Sequence, residues 1–385
     1  MKLRLNGQGI LAAQYFFYFG VMGMFLPFFN LYCYQIGFSG WQIGMLSAVR
    51  SVVTILFSLL WSLLADRFHS RRPIYILCNF FSAAFWAFFL LTSDFVWMLG
   101  ATVLYGIFYS PLIAFLETFA MDVLGKDKKS YGRLRAWGSA AFVASVLILG
   151  RVIDIYGVKI ILSLILALSW VQVLVSLGFP KPSVRLKEKS AETWRLLLKP
   201  RVLVFLFCGF LMLLSHGAYY TFFSIHLSEL GYGSFFIGAT WAVAVCAEIV
   251  AMLSSQRIFK RFRYEAVLIF SFAIAVVRWS GLWVAESAVP IVLLQLTHAV
   301  TYGTFHMASI LYIDQLTPKV AKTVGQAVNN AVTYGLGLMA GFFLSGALYQ
   351  RIGAHALFGL SGLTALVGGI VFLGHSHLRS SRLKR

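Results

Sequence analysis

Long apolar runs interrupted by short charged clusters make up the whole chain. No Asp, Glu, Lys or Arg occurs between Leu5 and Val49. Reading from one cluster to the next gives twelve apolar segments, at about 9–34, 41–64, 74–93, 95–121, 134–153, 159–179, 202–226, 234–255, 266–285, 288–313, 324–349 and 354–374. A helix needs about 20 apolar residues to cross a bilayer, and these segments have that length. They are too long for barrel strands and lack a period-two alternation. The pattern therefore predicts an all-α membrane protein with 12 transmembrane helices.

Composition supports the same class. Of 385 residues, 60% are hydrophobic and 12% charged, against about 45–50% and about 25% in a soluble domain. An ordinary soluble enzyme, a disordered chain and a fibrous protein are excluded. The formal charge of +19 would suggest nucleic acid on a soluble protein. Here the cations fall between the apolar runs, so no nucleic-acid partner is expected. Lys2 and Arg4 precede the first run as in a signal peptide, but that run shows no small-residue cleavage site and reads as an uncleaved span. Cys33, Cys78, Cys208 and Cys246 all lie in apolar segments, form no metal-ligand spacing, and read as reduced packing residues.

The cations also set an orientation. With the N-terminus inside, 27 of the 32 Lys and Arg fall in cytoplasmic segments and 3 (Arg151, Lys159, Arg351) outside. Arg50 and Arg278 lie within spans. The positive-inside rule thus places both termini in the cytoplasm. A charged, proline-bounded stretch at 180–201 divides the chain into a six-helix bundle at 1–179 and a second at 202–385, the latter ending in a short basic tail. The halves echo each other. Gly37-Phe-Ser-Gly-Trp-Gln-Ile43-Gly44 after the first span matches Gly231-Tyr-Gly-Ser-Phe-Phe-Ile237-Gly238 after the seventh. Gly150 and Gly157 around the end of the fifth match Gly346 and Gly353 around the end of the eleventh. A duplicated six-helix unit follows.

Ionisable groups within a span are costly and therefore mark function. They are Arg50, Glu117, Glu248, Arg278, His298 and His306, with His216 a possible addition. Asp122, Arg133 and Arg135 sit near cytoplasmic ends and Asp154 near an outer end. Glu248 and Arg278 occupy adjacent helices away from either end. Such a pair can load and release a proton as the engagement of the arginine changes; a static ion pair fixing helix register is the alternative. His298, Tyr302 and His306 follow four-residue steps and form one polar stripe. The two histidines are eight residues apart, which does not suit a metal site, and no cofactor is expected. Tyr105, Tyr109 and Glu117 share a face, as do His216, Tyr219, Tyr220 and Phe223. These aromatic stripes suit either a flat ligand ring or packing. Asn329, Asn330 and Tyr334 make the eleventh span unusually polar. There is no G-x-x-x-x-G-K-[ST], H-E-x-x-H or G-x-S-x-G motif, so neither ATP drive nor an enzyme active site is expected.

Ser62-Leu-Leu-Ala-Asp66-Arg67-Phe-His-Ser-Arg71-Arg72 resembles the major facilitator superfamily signature G-x-x-x-D-R-x-G-x-R-[KR]. Asp66, Arg67, Arg71 and Arg72 fit this gating loop; Ser62 and His69 replace its two glycines. The resemblance implies two six-helix bundles rocking about a central site. Further motifs resemble the group containing the lactose, nucleoside and 3-phenylpropionate permeases. They are Tyr131-Gly-Arg-Leu-Arg135-Ala-Trp-Gly-Ser, Ala247-Glu248, Val277-Arg278-Trp279 and Leu296-Thr-His298. That likeness implies Glu117 with Arg135 as a substrate-binding pair, and Glu248, Arg278 and His298 as a substrate and proton network. Thr301 and Phe142 stand where lactose permeases carry a proton-release Glu and a sugar-stacking Trp. Ala218-Tyr219-Tyr220, Val276-Val277-Arg278-Trp279 and His306 are instead similar to 3-phenylpropionate permeases, which implicates Tyr219 and Tyr220 in binding.

These readings predict a monomeric, proton-coupled symporter of the bacterial inner membrane for a small organic solute. An aromatic carboxylate such as 3-phenylpropionate is favoured, anchored by Arg278 or Arg135. An oligosaccharide or nucleoside symporter is the alternative, and an uncoupled channel or a membrane sensor a more distant one.

Overall fold

A computed structural model of the chain describes residues 2–125, 131–179, 199–318 and 322–382. Apart from residues 199–201, the segment expected at 180–201 lies outside the described residues.

Twelve helices follow in order among the described residues. They are α1 (Lys2–Gln35), α2 (Gly40–Arg67), α3 (Arg71–Leu91), α4 (Phe95–Leu124), α5 (Tyr131–Tyr156), α6 (Ile160–Ser176), α7 (Pro200–Glu229), α8 (Ser234–Arg261), α9 (Tyr264–Val284), α10 (Ala288–Leu316), α11 (322–352) and α12 (354–382). The last two run on from each other except at Gly353, where φ 73° and ψ 168° break the helix. Charged flanks extend several helices beyond the apolar runs, as at Arg67 and Arg261. Apolarity has to stop at the membrane boundary, whereas backbone hydrogen bonding can continue past it while Lys and Arg stems reach to water.

The described chain forms two compact units. One comprises Met1–Phe38, Val49–Lys187 and Gly231–Ala242. Leu11, Tyr15, Tyr75, Leu112, Leu116 and Phe119 are central to a core there. Several of its buried polar groups pair internally: Tyr75 Oη donates to Gln14 Oε1 at 2.8 Å, and Gln14 Nε2 donates to the Gln172 carbonyl at 2.8 Å. Trp86 Nε1 donates to the Leu162 carbonyl at 2.9 Å. Without water in the hydrocarbon layer these groups need internal partners.

The other unit comprises Ser39–Ala48, Glu188–Leu230 and Val243–Arg385. Its α7, α10 and α11 are each irregular partway along. α7 is interrupted at His216, where Gly217 meets the backbone of Gly341 so closely that a Cβ would lie 2.3 Å from the Gly341 carbonyl carbon. α10 and α11 contain π-helical turns at Ala299–Thr304 and Asn330–Gly337. Irregular turns of this kind concentrate at functional sites.

The sequence repeats have structural counterparts. Gly37 and Gly231 turn the chain at φ 94° and 84°, and Gly157 and Gly353 do so at 80° and 73°, in the left-handed region that glycine enters freely. Ser39 Oγ accepts from Gln42 N at 3.2 Å while Gln42 Oε1 accepts from Ser39 N at 2.9 Å, a reciprocal cap on α2. The start of α8 is capped from another helix. Asp154 of α5 accepts from the N–H groups of Ser234 at 2.6 Å and Phe235 at 3.1 Å. Of the cysteines, Cys33, Cys78 and Cys208 are buried free thiols, whereas Cys246 is exposed. The packing role expected for Cys246 is thereby corrected: α8 turns that residue outward.

Candidate functional site

Burying an arginine demands acceptors, and Arg278 of α9 has them for both Nη groups, while its Nε has none among the described residues. It is fully buried. Nη1 lies 2.5 Å from His298 Nδ1 and donates to Thr301 Oγ1 at 2.9 Å; Nη2 donates to Gln295 Oε1 at 3.3 Å. Tyr219 and Trp279 cover its faces, with ring centroids 4.4 and 4.6 Å from the guanidinium carbon. Tyr219 Oη in turn donates to Gln295 Oε1 at 2.9 Å. Three helices thus position one cation: α9 carries it, α7 supplies Tyr219, and α10 supplies Gln295, His298 and, from its π-helical turn, Thr301.

His298 joins this cation to a carboxylate. Its Nε2 is 2.8 Å from Glu248 Oε1. A guanidinium can only donate, so His298 Nδ1 accepts and Nε2 carries the proton donated to Glu248. Glu248 and Arg278, expected to face each other, are therefore linked through an imidazole. Hydropathy could place them on neighbouring helices but could not fix the rotation that inserts His298. Gln295 and Thr301 were not identified as site residues. Their signal was a glutamine in an otherwise apolar helix start, and a threonine where the resembling permeases carry Glu.

The expected stripe on α10 is a ladder of rings. His298 and Tyr302 stack at 5.3 Å with planes 13° apart, and Tyr302 and His306 at 6.3 Å and 9°. Tyr334 of α11 meets His306 edge-on at 4.9 Å. Tyr220 stands near the ladder, 6.3 Å from His298 and 6.1 Å from Tyr302. His216 is fully buried, with Nδ1 2.8 Å from the Met212 carbonyl and its ring 6.2 Å from His298. On α11, Asn329 is buried and accepts from Thr333 Oγ1 at 3.1 Å, whereas Asn330 is exposed.

The other unit holds a second polar cluster. Tyr131 Oη lies 3.5 Å from Glu117 Oε1. Arg135 does not form an ion pair with Glu117 among the described residues. Its guanidinium covers Phe19 at 3.8 Å and lies 5.9 Å from Tyr15. Gly138, one turn on, leaves room for this packing: a Cβ there would approach Phe19 to 2.5 Å and Arg135 Nη1 to 3.1 Å. A wall of rings runs from Phe19 through Tyr18 (5.1 Å), Tyr109 (5.2 Å) and Tyr105 (4.9 Å) to Phe25 (6.5 Å). Arg50 of α2 lies over Phe25 at 4.5 Å. Phe142 is buried in α5.

The expected gating loop closes on itself. Arg71 donates to Asp66 Oδ1 from Nε at 3.0 Å and from Nη2 at 2.7 Å. Arg72 Nη2 donates to the Leu177 carbonyl at 2.8 Å, meeting a carbonyl left over at the end of α6. Arg67 lies 6.0 Å from the Phe68 ring. His69 adopts φ 51°, so the turn keeps the left-handed residue that the signature assigns to glycine.

Residues 9–360 match the MFS_1 like family. The Escherichia coli (strain K12) protein named "Probable 3-phenylpropionic acid transporter" is 30% identical over 371 residues, covering 92% of this chain and 94% of that protein. Maltose permease of Geobacillus stearothermophilus is 24% identical over 376 residues, covering 93% and 92%. Among solved structures, the nucleoside transporter NupG is similar in fold, with a TM-score of 0.81 at 17% identity, over 97% of this chain and 99% of that one.

Proposed function

Because the chain belongs to the MFS_1 like family of membrane transporters, we propose that it is a proton-coupled symporter for a small aromatic carboxylate, Glu248 carrying the proton. The observation behind the coupling is the Glu248–His298–Arg278 chain of contacts. A proton placed on Glu248 Oε1 faces the N–H of His298 and breaks that link. The imidazole cannot turn its other nitrogen into a donor while Arg278 donates to it. Protonation of the carboxylate is thereby tied to the arrangement of α8, α9 and α10. In a carrier that exposes its site to one side of the membrane at a time, this supplies a coupling step without any metal or nucleotide.

The substrate class rests on two supports. One is the aromatic wall with its cations. The other is the likeness to the protein named for 3-phenylpropionic acid. A sugar or nucleoside substrate would instead draw on the polar residues of α11, where Asn330 is exposed.

Proteoliposomes carrying Glu248→Gln test the reading. Accumulation of labelled 3-phenylpropionate driven by a proton gradient is expected to be abolished, with counterflow exchange retained. Proton-driven uptake unchanged by the substitution would overturn the assignment of Glu248. Proton-driven uptake of maltose or nucleosides in place of the aryl acid would overturn the substrate.

A further inference from the structure

The ring wall of the first unit carries a guanidinium that lacks a counter-ion among the described residues. Tyr18 is within electrostatic range of three charged groups, Arg135, Glu117 and Arg50: two cations and one carboxylate. Glu117 lies in range of Arg135 and Tyr131. The partners in range of Arg50 are the hydroxyls of Tyr105, Tyr109 and Tyr18. Among the described residues Arg50 makes no ion pair and donates no hydrogen bond; its contact is the face of Phe25. A half-buried guanidinium held in this way within a span is expensive. It is accounted for when an anionic ligand completes it.

The other two cations are less suited to that task. Arg278 has no exposed surface, and its two Nη groups already serve His298, Thr301 and Gln295. Arg135 lies against Phe19 and shares its surroundings with Glu117. Around Arg50 the chemistry matches an aryl acid at both ends. The guanidinium offers a planar fork for a carboxylate, and phenol hydroxyls can donate to the same oxygens. The adjoining rings stack on one another, Tyr105 between Phe25 and Tyr109 and Tyr109 between Tyr105 and Tyr18, which leaves the partly exposed edges of Phe25 and Tyr109 for an edge-on ligand ring.

We propose that Arg50, with Tyr18, Tyr105 and Tyr109, forms the seat for the carboxylate of an aromatic monoanion whose ring lies against the edges of Phe25 and Tyr109. The inference rests on the aromatic-acid reading above and assigns the anchor to Arg50, neither Arg278 nor Arg135. It also accounts for selectivity: a neutral ligand of the same shape leaves the guanidinium unmatched.

Calorimetric binding to the purified full chain tests it, with 3-phenylpropionate and its neutral amide, 3-phenylpropionamide, as probes. Wild type is expected to prefer the acid. Arg50→Gln is expected to lose roughly 10–100-fold in acid affinity, the range for a hydrogen bond to a charged group, while binding the amide as wild type does. Equal acid affinity in wild type and Arg50→Gln would overturn the seat and leave the aryl-acid reading standing. Parallel loss of acid and amide would reduce Arg50 to a packing role and also overturn it. Wild type binding neither probe would overturn both the seat and the substrate class. Should Arg50→Gln not fold, Arg50→Lys decides. It keeps the charge without the fork, so a weakened acid preference supports the seat and an unchanged one overturns it.

Discussion

Glu248 and His298 meet at 2.8 Å between Oε1 and Nε2, and Arg278 on the far side of the ring decides which nitrogen holds the proton. The guanidinium acts on the carboxylate at one remove, through a tautomer. A direct ion pair would respond to distance alone. This arrangement also responds to the orientation of an imidazole stacked on Tyr302.

Replacing His298 separates charge from hydrogen bonding. His298→Leu leaves both Glu248 and Arg278 without their shared partner, and breaking a buried charge link of this sort costs about 3–5 kcal/mol. His298→Gln can still accept from Arg278 and donate to Glu248, so its loss should be about 1 kcal/mol. Thermal unfolding of the detergent-solubilised protein gives the order; equal destabilisation by the two variants would refute the bridging role.

Arg278→Lys keeps the charge but loses the fork. One ammonium cannot serve His298, Thr301 and Gln295 together, and each buried acceptor left unmatched costs about 1–3 kcal/mol. A lowered unfolding temperature and loss of proton-driven uptake are expected together. Full retention of both would show that the planar geometry is dispensable.

Asp154 caps α8 from α5 through two backbone N–H groups. Asp154→Ala should destabilise by about 1–2 kcal/mol, the usual effect of removing a helix cap. Asp154→Asn keeps one of the two acceptor oxygens in use and gives up the charge, so a smaller loss than that of Asp154→Ala is expected. Scanning calorimetry of the two variants checks that order, and an equal loss would show that the remaining oxygen does not cap the helix.

His69 holds a left-handed turn that glycine occupies without cost. His69→Gly relieves about 1–2 kcal/mol of backbone strain and returns about 0.5–1 kcal/mol through the freer unfolded chain. A net gain of up to about 1 kcal/mol is expected in thermal unfolding, and a clear loss would show that the imidazole itself is needed.

Much of the fold was legible because hydrocarbon imposes it. Apolar run length located the helices, and the glycine echoes Gly37/Gly231 and Gly157/Gly353 proved to be matched left-handed turns. Glu248, Arg278 and His298 stood out as ionisable groups in spans. What hydropathy could not supply was rotation about each helix axis. It is rotation that puts His298 between Glu248 and Arg278, turns Arg135 onto Phe19 in place of Glu117, and faces Cys246 outward. Gln295 escaped notice, and Thr301 stood out only as a departure from the lactose permeases, because uncharged polar side chains are common enough in spans to carry little warning. Arg50 was visible but had no evident role, since Phe25 and the tyrosines that surround it come from α1 and α4.

The π-helical turn at Ala299–Thr304 winds one residue more than an α-helical turn would hold. An α-helix advances about 100° per residue. Ejecting that surplus residue would roll everything beyond it by about that angle, swinging His306 away from Tyr302 while leaving His298 anchored on its guanidinium. The surplus residue thus sets the phase of α10 beyond it, and with it the direction His306 faces relative to His298.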